Sequence, residues 1–300
     1  MNEGLKDIID GTLLGDACIS ISSGKYYNYK HVAKDRLYLE WQSRFLQEHG
    51  IKCHIGIDNK TTEVHRLGFY INSIKNEYLN SLHGIWYRKE NERNIKVVPN
   101  NIKITSTVLL HWYLGDGCLI RAKENRIPRI VLATNNFSKK NIDFLIEKLK
   151  NIGLTFYSNS SISGFKKGAK CGYVLISKTN DGTPFRFFKL IGMQCPEKIK
   201  ECFTGNKGRG SKRHYFKDKW PTEEDWVRIL SNVMGIGKIV KERRNSYKLS
   251  QEKLARKAGC RKRHIRRIEK GRRFPSVPLF KKLLNILEIN GLYLLKELCK

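Results

Sequence analysis

The chain has 300 residues, which is enough for about two domains with sizeable cores. Its 58 Lys and Arg against 28 Asp and Glu give a net charge of +30, which indicates a polyanionic partner such as nucleic acid. Because no run of about 18 apolar residues occurs, nucleic acid is a better candidate partner than a membrane, and the cysteines show no zinc-ligand spacing.

A short motif occurs twice in the chain. The copies Ile9–Ile19 and Leu110–Leu119 both contain Leu-Gly-Asp followed by a small residue, a cysteine and an apolar residue. Each copy is predicted to be a short apolar helix that ends at an aspartate, Asp16 or Asp116. An aspartate is unfavourable at the negative end of a helix dipole, and a bound cation would remove that penalty.

The glycines of the first copy suggest how the two helices meet. Gly11 and Gly15 lie on one helical face, where each costs about 0.5–1 kcal/mol relative to alanine and is explained by close packing of a second backbone. Helices packed glycine face to glycine face would bring Asp16 and Asp116 together. Such carboxylates repel unless protonated or bridged by a metal, and oxygen ligands suit Mg²⁺. The alternative is a pair of ordinary core helices, but the recurrence of the motif favours a site.

The first half is predicted to run as helix, two strands, helix, two strands and helix. In chain order, the predicted elements are a helix over 5–16, strands over 17–22 and 26–32, a helix from the N-cap Asp35 to His49, strands over 51–57 and 67–71, and a helix over 74–82. A basic, irregular segment is expected from there to Pro99.

The second half repeats this order. Its predicted elements are a motif helix from Thr105-Ser106 to Asp116, strands over 118–122 and 129–133, a helix between Ser138 and Gly153, strands over 154–160 and 172–177, and a helix over 185–191. We therefore expect an α+β fold with two αββαββα half-domains, residues 1–104 and 105–205, about a pseudo-two-fold axis.

Each half is expected to present a polar, basic face of an antiparallel sheet to duplex DNA, since a two-stranded ribbon fits the major groove. The candidate contact residues are Lys25, Tyr27, Tyr29, His31, Arg121, Lys123, Arg126, Lys166 and Lys167. For any one of them, a solvated face unrelated to DNA is an equally good explanation.

The C-terminal part is more basic still, with 27 Lys and Arg against 9 Asp and Glu in residues 206–300. Residues 206–235 are predicted to form a glycine-rich, cationic linker and a short helix. Residues 236–300 are predicted to form a small all-α unit. In this unit Ser250 caps one helix, Gly259 supplies a turn with positive φ, and a basic helix follows.

The repeated motif resembles the two motifs of single-chain LAGLIDADG homing endonucleases. The resemblance covers about residues 5–205 and rests also on Val98–Asn101, Ile130–Thr134 and Cys195–Lys200. It departs from the family pattern at His111, which stands where the first copy has Gly11. The C-terminal unit resembles the Cro/repressor type of helix-turn-helix through Ser-Gln-x-x-Leu-Ala, a turn glycine, Ile-x-x-Ile-Glu-x-Gly and Pro-Ser.

These resemblances imply a site-specific, Mg²⁺-dependent endonuclease of intron homing that acts as a monomer on double-stranded DNA. They imply metal binding by Asp16 and Asp116, aided by the carbonyls of Gly15 and Gly115. Basic residues would lie near each scissile phosphate, namely Lys96 and Lys200 by local match. In the helix-turn-helix, the residues implied at DNA are Gln251 on the backbone and, from the second helix in the major groove, Arg261, Lys262, Arg263 and Arg266.

Three alternatives remain open. One is a transcription regulator with an inactive core, against which both aspartates argue; another is a maturase that binds intron RNA. A third is an intein remnant, which lacks support because the chain has no nucleophilic first residue and no terminal His-Asn. The helix-turn-helix either adds contacts outside the cleavage site or binds a promoter for self-regulation. Since the N-terminus does not resemble a signal peptide, an intracellular protein associated with nucleoid or organelle DNA is expected.

Overall fold

The computed structural model describes residues 3–22, 26–58, 68–121, 124–162, 171–206 and 213–299. The first half contains, in chain order, α1 (Glu3–Leu14), β1 (Cys18–Ser22), β2 (Tyr26–Ala33), α2 (Arg36–Glu48), β3 (Cys53–Asp58), β4 (Gly68–Ser73), α3 (Glu77–Trp86), β5 (Tyr87–Glu90) and β6 (Arg93–Lys96). Its four-stranded sheet has the order β1-β2-β4-β3, with antiparallel neighbours, and β5 and β6 form a separate hairpin.

The second half repeats this arrangement. It contains α4 (Ser106–Asp116), β7 (Gly117–Ile120), β8 (Arg129–Ala133), α5 (Lys139–Asn151), β9 (Phe156–Ile162), β10 (Cys171–Ser177) and α6 (Thr183–Ile191). Its antiparallel sheet has the order β7-β8-β10-β9, which matches the order in the first half. The predicted αββαββα tandem is thereby confirmed.

The same local signals set the helix boundaries in both halves. The Asp35 carboxylate accepts the Tyr38 N–H at 3.0 Å, and the Thr105 hydroxyl accepts the Val108 N–H at 3.2 Å. Gly50 and Gly153 follow α2 and α5 with φ of +81° and +79°, which an L side chain rarely adopts. These caps and glycines explain why the element order could be predicted from the sequence.

Two stretches of the first half differ from expectation. Helix α3 begins at Glu77 instead of residue 74, because the Asn76 side chain caps it by accepting the Tyr78 N–H at 2.9 Å. The expected irregular segment is the β5–β6 hairpin. Its turn residues Asn91 and Glu92 both have positive φ, as a tight hairpin turn requires, but they lack the glycine that usually signals such a turn.

The C-terminal part begins with a second hairpin. It contains, in chain order, β11 (Phe203–Asn206), β12 (Arg213–Tyr215), a 3₁₀ turn (Phe216–Lys219), α7 (Glu223–Leu230), α8 (Ile236–Ser246), α9 (Gln251–Ala258), α10 (Lys262–Glu269), α11 (Val277–Ile286) and α12 (Gly291–Cys299). Residues 207–212 of the expected linker lie outside the described residues. Helix α7 lies where the sequence predicts a short helix, and the residues around it pack into the core through the buried side chains of Phe216, Trp220 and Trp226.

Helices α8–α12 form the expected small all-α domain. The Ser250 hydroxyl caps α9 by accepting the Lys253 N–H, and Gly259 ends that helix with a φ of +67°. Gly237 lets α8 approach α10 closely, because a Cβ there would lie 2.0 Å from the Ile268 carbonyl oxygen. Within the described part of the chain, no helix combines the length and apolar character needed to cross a membrane.

Candidate active site and nucleic-acid interface

Helices α1 and α4 cross at their glycines. A Cβ on Gly15 would lie 3.5 Å from the Gly115 Cα. One turn earlier, a Cβ on Gly11 would lie 2.6 Å from the Val108 carbonyl oxygen and 2.8 Å from the His111 Cβ. Gly11 thus makes room for the bulkier His111, and the crossing places the ends of both helices side by side.

Asp16 and Asp116 lie together at this crossing, with their carboxyl groups in hydrogen-bonding contact. Burial, followed by the negative charge of Asp16, raises the pKa of Asp116 to about 7. Both residues line a cleft of about 360 Å³, which Tyr87, Lys96 and Asn136 also border. The pair therefore requires a proton or a cation near neutral pH.

Lys96 occupies the end of the first motif helix. Its ammonium donates to the carbonyl oxygens of Leu13 at 2.8 Å and Ala17 at 2.7 Å, and lies 3.4 Å from that of Gly15. These are carbonyls at the negative end of the helix dipole, where a cation is favoured. Burial lowers the pKa of Lys96.

The equivalent position in the second half belongs to Lys219, which the sequence did not identify. Its ammonium donates to the carbonyl oxygen of Leu114 at 2.6 Å and to those of Tyr113 and Gly115, each at 3.2 Å. Burial lowers the pKa of Lys219 to about 8. Lys219 ends the 3₁₀ turn that follows hairpin β11–β12, much as Lys96 ends hairpin β5–β6.

Lys200 does not line the cleft of the two aspartates, so its predicted place near a scissile phosphate is wrong. Its ammonium is half-exposed and pairs with Glu197 at 2.6 Å, one turn away in the same segment. Lys219 could have been found from the repeat itself, because the basic hairpin β11–β12 before it corresponds to the hairpin β5–β6 that carries Lys96. A local match to the residues after Pro196 could not detect a lysine that follows a further hairpin.

The donor set at the crossing fits a hard divalent cation. The described residues contain no cluster of three or more His, Cys, Asp or Glu, so two carboxylates and nearby carbonyls are the available protein ligands. Burial raises the pKa of the neighbouring Cys18 thiol, which keeps it protonated and a poor ligand. Oxygen donors alone suit Mg²⁺, which retains several waters in protein sites.

In the first sheet, the predicted contact face on β2 is wrong by one residue. Tyr29 and His31 are buried in the core, and Tyr27 stacks on His83 at 4.0 Å. The Tyr29 hydroxyl donates to Thr12 at 2.9 Å and accepts from Gln42 at 2.6 Å. A shift of one residue along a strand changes the face, so the open face instead carries Ser20, Asn28, Lys30, His54 and Asn72.

In the second sheet, Arg121 is used for folding. Its guanidinium donates to the Asp225 carboxylate at 2.8 Å and to the carbonyl oxygens of Asp218 and Trp220. This corrects the expectation that Arg121 contacts DNA, because its donors are already engaged by the segment that carries Lys219. Arg126 is exposed. The remaining candidates, Lys25, Lys123, Lys166 and Lys167, lie outside the described residues.

The helical domain presents a basic face on α10. Ile265 and Ile268 point inward, and the exposed cations are Arg261, Lys262, Arg263, Arg266 and Arg267. Gln251, at the start of α9, donates from its side-chain nitrogen to the Glu269 carboxylate at 2.7 Å. Glu269 also pairs with Arg244 at 2.6 Å, so this network fixes α9 against α10 and α8.

Comparison with known proteins identifies the class of protein to which this chain belongs. The model of the LAGLIDADG DNA endonuclease family matches residues 6–180, and the chain belongs to that family. A helix-turn-helix model matches residues 240–294, so the chain carries a helix-turn-helix domain after its LAGLIDADG core.

The individual proteins that resemble this chain share 30% sequence identity with it or less. The uncharacterized protein MJ1098 of Methanocaldococcus jannaschii is 30% identical over 159 residues, 50% of this chain and 57% of the relative. The chain thus matches little more than half the length of this curated relative. The homing endonuclease I-WcaI, solved bound to its DNA recognition sequence, shares 18% identity and a TM-score of 0.51 over 63% of this chain and 81% of its own. I-DmoI in complex with DNA and Mn has a TM-score of 0.38 and 16% identity, over 63% and 96% of the two chains.

Proposed function

We propose that the protein is a site-specific, metal-dependent endonuclease that cuts both strands of duplex DNA as a monomer. The observation that carries this proposal is the contact between Asp16 and Asp116 at the glycine crossing, with a half-buried lysine at each helix end. A purely structural helix pair has no need of two adjacent carboxylates, since their repulsion destabilises the fold. One chain supplies both halves of the centre, so no second copy is needed to complete it.

Asp16 and Asp116 would hold the divalent cation, with the Gly15 and Gly115 carbonyls as further ligands. A bound cation of this kind supplies Lewis-acid activation of water and stabilises charge on the scissile phosphate. We assign Mg²⁺ as the natural ion because the protein donors are oxygens.

Lys96 and Lys219 would serve the two strands. Each ammonium lies at one motif-helix end, where it adds positive charge beside a phosphate placed over the carboxylates. Such fixed charge offsets the negative charge that develops on the phosphate in the transition state. Lys219 replaces Lys200 in this assignment.

Duplex DNA would lie across the open faces of the two sheets. The first sheet offers Asn28, Lys30 and Asn72 for base edges and phosphates, and the basic face of α10 adds a separate contact surface. The two sheets differ in sequence, so the protein would read an asymmetric target within nucleoid or organelle DNA.

The test is a cleavage selection with a library of randomised duplexes in Mg²⁺, and a parallel binding selection in Ca²⁺. We expect Mg²⁺-dependent double-strand breaks at one sequence, reduced by at least about 10³-fold in the Asp16→Asn/Asp116→Asn variant. Asp143→Asn is the matched control, because Asp143 is an exposed aspartate on α5 that pairs with Lys139.

Other outcomes would contradict the proposal. Sequence-selective binding without cleavage, unchanged in the double variant, would leave a transcription regulator with an inactive core. A preference for structured intron RNA over every duplex would instead identify a maturase.

A further inference from the structure

Helix α7 joins the helix-turn-helix domain to the second half of the core. On one side, Trp226 packs edge-on against Phe188 of α6, with ring centroids 5.7 Å apart. On the other side, α12 begins at Gly291, where a Cβ would lie 3.4 Å from Val227 of α7. Hydrophobic side chains of both domains belong to one continuous buried cluster, so the helical domain is docked and not tethered.

Ion pairs add a second point of attachment. The Lys281 ammonium on α11 lies 3.5 Å from Glu224 on α7 and 3.9 Å from Glu124 in the connection between β7 and β8. The Asn232 side chain, just after α7, donates to the Thr179 carbonyl oxygen beyond β10. The helix-turn-helix domain therefore contacts the connection between β7 and β8 of the second half as well as α7.

A basic cleft of about 550 Å³ lies where these parts meet. Three exposed arginines line it: Arg126 and Arg129 come from the second half, and Arg273 follows α10. Its other polar lining residues are neutral, and none of the three arginines forms an ion pair within the described residues. The cleft thus concentrates positive charge from two domains, with no carboxylate among its described lining residues, as a polyanion site does.

The cleft lies at the end of the second sheet that is remote from the carboxylate pair. Strand β7 starts at Gly117, directly after Asp116, and its last residue Ile120 pairs with Arg129, the first residue of β8. At about 3.3 Å per residue, β7 therefore carries the chain about 10 Å away from the crossing before it reaches the cleft.

One arginine of the cleft, Arg273, also lies close to α10. Arg273 follows the end of α10 by four residues. Desolvation, followed by the charges of Arg273 and of Arg263, lowers the pKa of His264 on α10. Arg273 therefore belongs electrostatically both to the cleft and to the helix expected in the major groove.

We infer that this cleft binds the phosphodiester backbone of duplex DNA beyond the outer edge of the half-site read by the second sheet. This inference rests on the proposed function, because it takes the target duplex to lie across both sheets. The docked helix-turn-helix then extends the footprint on one side only, with α10 in the next major groove. Its role is to lengthen the cleavage site and not to bind a separate promoter.

The test uses the target recovered by selection in three duplexes: one trimmed to the two half-sites, and two extended by one helical turn, about 10 base pairs, on either side. Affinities are measured in Ca²⁺ at several salt concentrations. We expect one extension to tighten binding by about tenfold or more, and a photoreactive base within it to cross-link to residues 124–129 or 262–273. The other extension should change nothing.

The Arg273→Ala variant should lose most of this gain and reduce the salt slope on the extended duplex by about 1, while binding the trimmed duplex as before. The control is Lys148→Ala, which removes one charge from α5, and should behave as the unaltered protein does. Thermal melting of both variants verifies that they fold.

Equal affinity for all three duplexes, cross-links to the first half, or simultaneous binding of a second duplex by the helix-turn-helix would overturn the inference. Cleavage is read separately. Mg²⁺-dependent cleavage without a length effect would refute the extended footprint and leave the nuclease intact. A length effect without cleavage, on a target recovered by binding, would refute the nuclease and leave the footprint.

Discussion

The two halves hold an ammonium group at the same place but deliver it differently. In the first half, Lys96 ends a short hairpin that directly follows α3. In the second half, Lys219 is farther along the chain from the corresponding helix, α6, and follows β11, β12 and most of a 3₁₀ turn. The structural repeat is thus longer than the αββαββα unit, since each copy also includes a hairpin and a lysine at or after its end.

The means of holding these hairpins also differ. In the first half, the Ile19 N–H of β1 donates to the Tyr87 hydroxyl of β5 at 2.9 Å. In the second half, the Arg121 side chain, directly after β7, donates to Asp225 and to the carbonyl oxygens of Asp218 and Trp220 on either side of Lys219. Although burial alone would raise the pKa of Asp225, hydrogen bonds from Thr222 and Arg121 bring it below its usual value. A buried ion pair thus fixes the second lysine, so its position depends on a segment beyond the matched family region.

The sharpest test of this comparison removes the lysines one at a time. Lys96→Met and Lys219→Met should each slow cleavage of one strand by about 10²-fold and leave the other strand nearly unaffected. Each removes the charge that offsets developing negative charge at one scissile phosphate. The two variants should therefore nick opposite strands of the same supercoiled target, as read on denaturing gels with either strand labelled.

Lys200→Met is the matched control and should cut both strands at the original rate, because Lys200 pairs with Glu197 on the surface. Slow cleavage in Lys200→Met with normal cleavage in Lys219→Met would refute the assignment of Lys219. If Lys96→Met or Lys219→Met slowed cleavage of both strands equally, the two halves would not act on separate strands.

Much of this fold could be predicted because its signals are local. Helix caps such as Asp35 and terminal glycines such as Gly50 act within one turn, and they recur in both halves. The contact between Asp16 and Asp116 could also be predicted, since a repeated glycine-bearing helix has few ways to pack against its copy.

The parts that the sequence did not predict depend on tertiary contacts. The strand Tyr26–Ala33 carries polar and aromatic residues on both faces, so alternation alone could not tell which face is buried. The larger aromatic set, Tyr27, Tyr29 and His31, was the better core candidate because it buries more apolar area. Lys219 was missed because its role depends on the fold of the preceding hairpin, which no local pattern records.

The raised pKa of Asp116 predicts how cation binding depends on pH. Asp116 has a pKa of about 7, so it is mostly protonated below that value, and a cation must displace the proton. The affinity for Mg²⁺ or Mn²⁺ should fall about tenfold per pH unit below 7 and level off above it. Asp16→Asn removes the second cause of the raised pKa and should move this break to lower pH, although it weakens binding overall.

Isothermal titration calorimetry in buffers of different ionisation enthalpy measures both effects, because the displaced proton contributes to the heat. Release of about one proton at pH 6 and almost none at pH 8 is the expected pattern. A cation affinity independent of pH between 5.5 and 8 would show that Asp116 is not a ligand or is already ionised.

The smallest expected effect separates the two faces of β2. Lys30 lies on the open face beside Tyr70, so Lys30→Ala should weaken target binding by about 3–10-fold and reduce the salt slope by about 1.

Tyr29→Phe removes a buried hydroxyl that bonds Thr12 and Gln42, so it should lower the free energy of unfolding by about 1–2 kcal/mol and leave DNA affinity unchanged. Lys148→Ala, on the helical side, controls for loss of charge. If Tyr29→Phe weakened DNA binding without destabilising the protein, β2 would present its Tyr29 face to DNA, and the assignment of Lys30 to the DNA-facing side would be refuted.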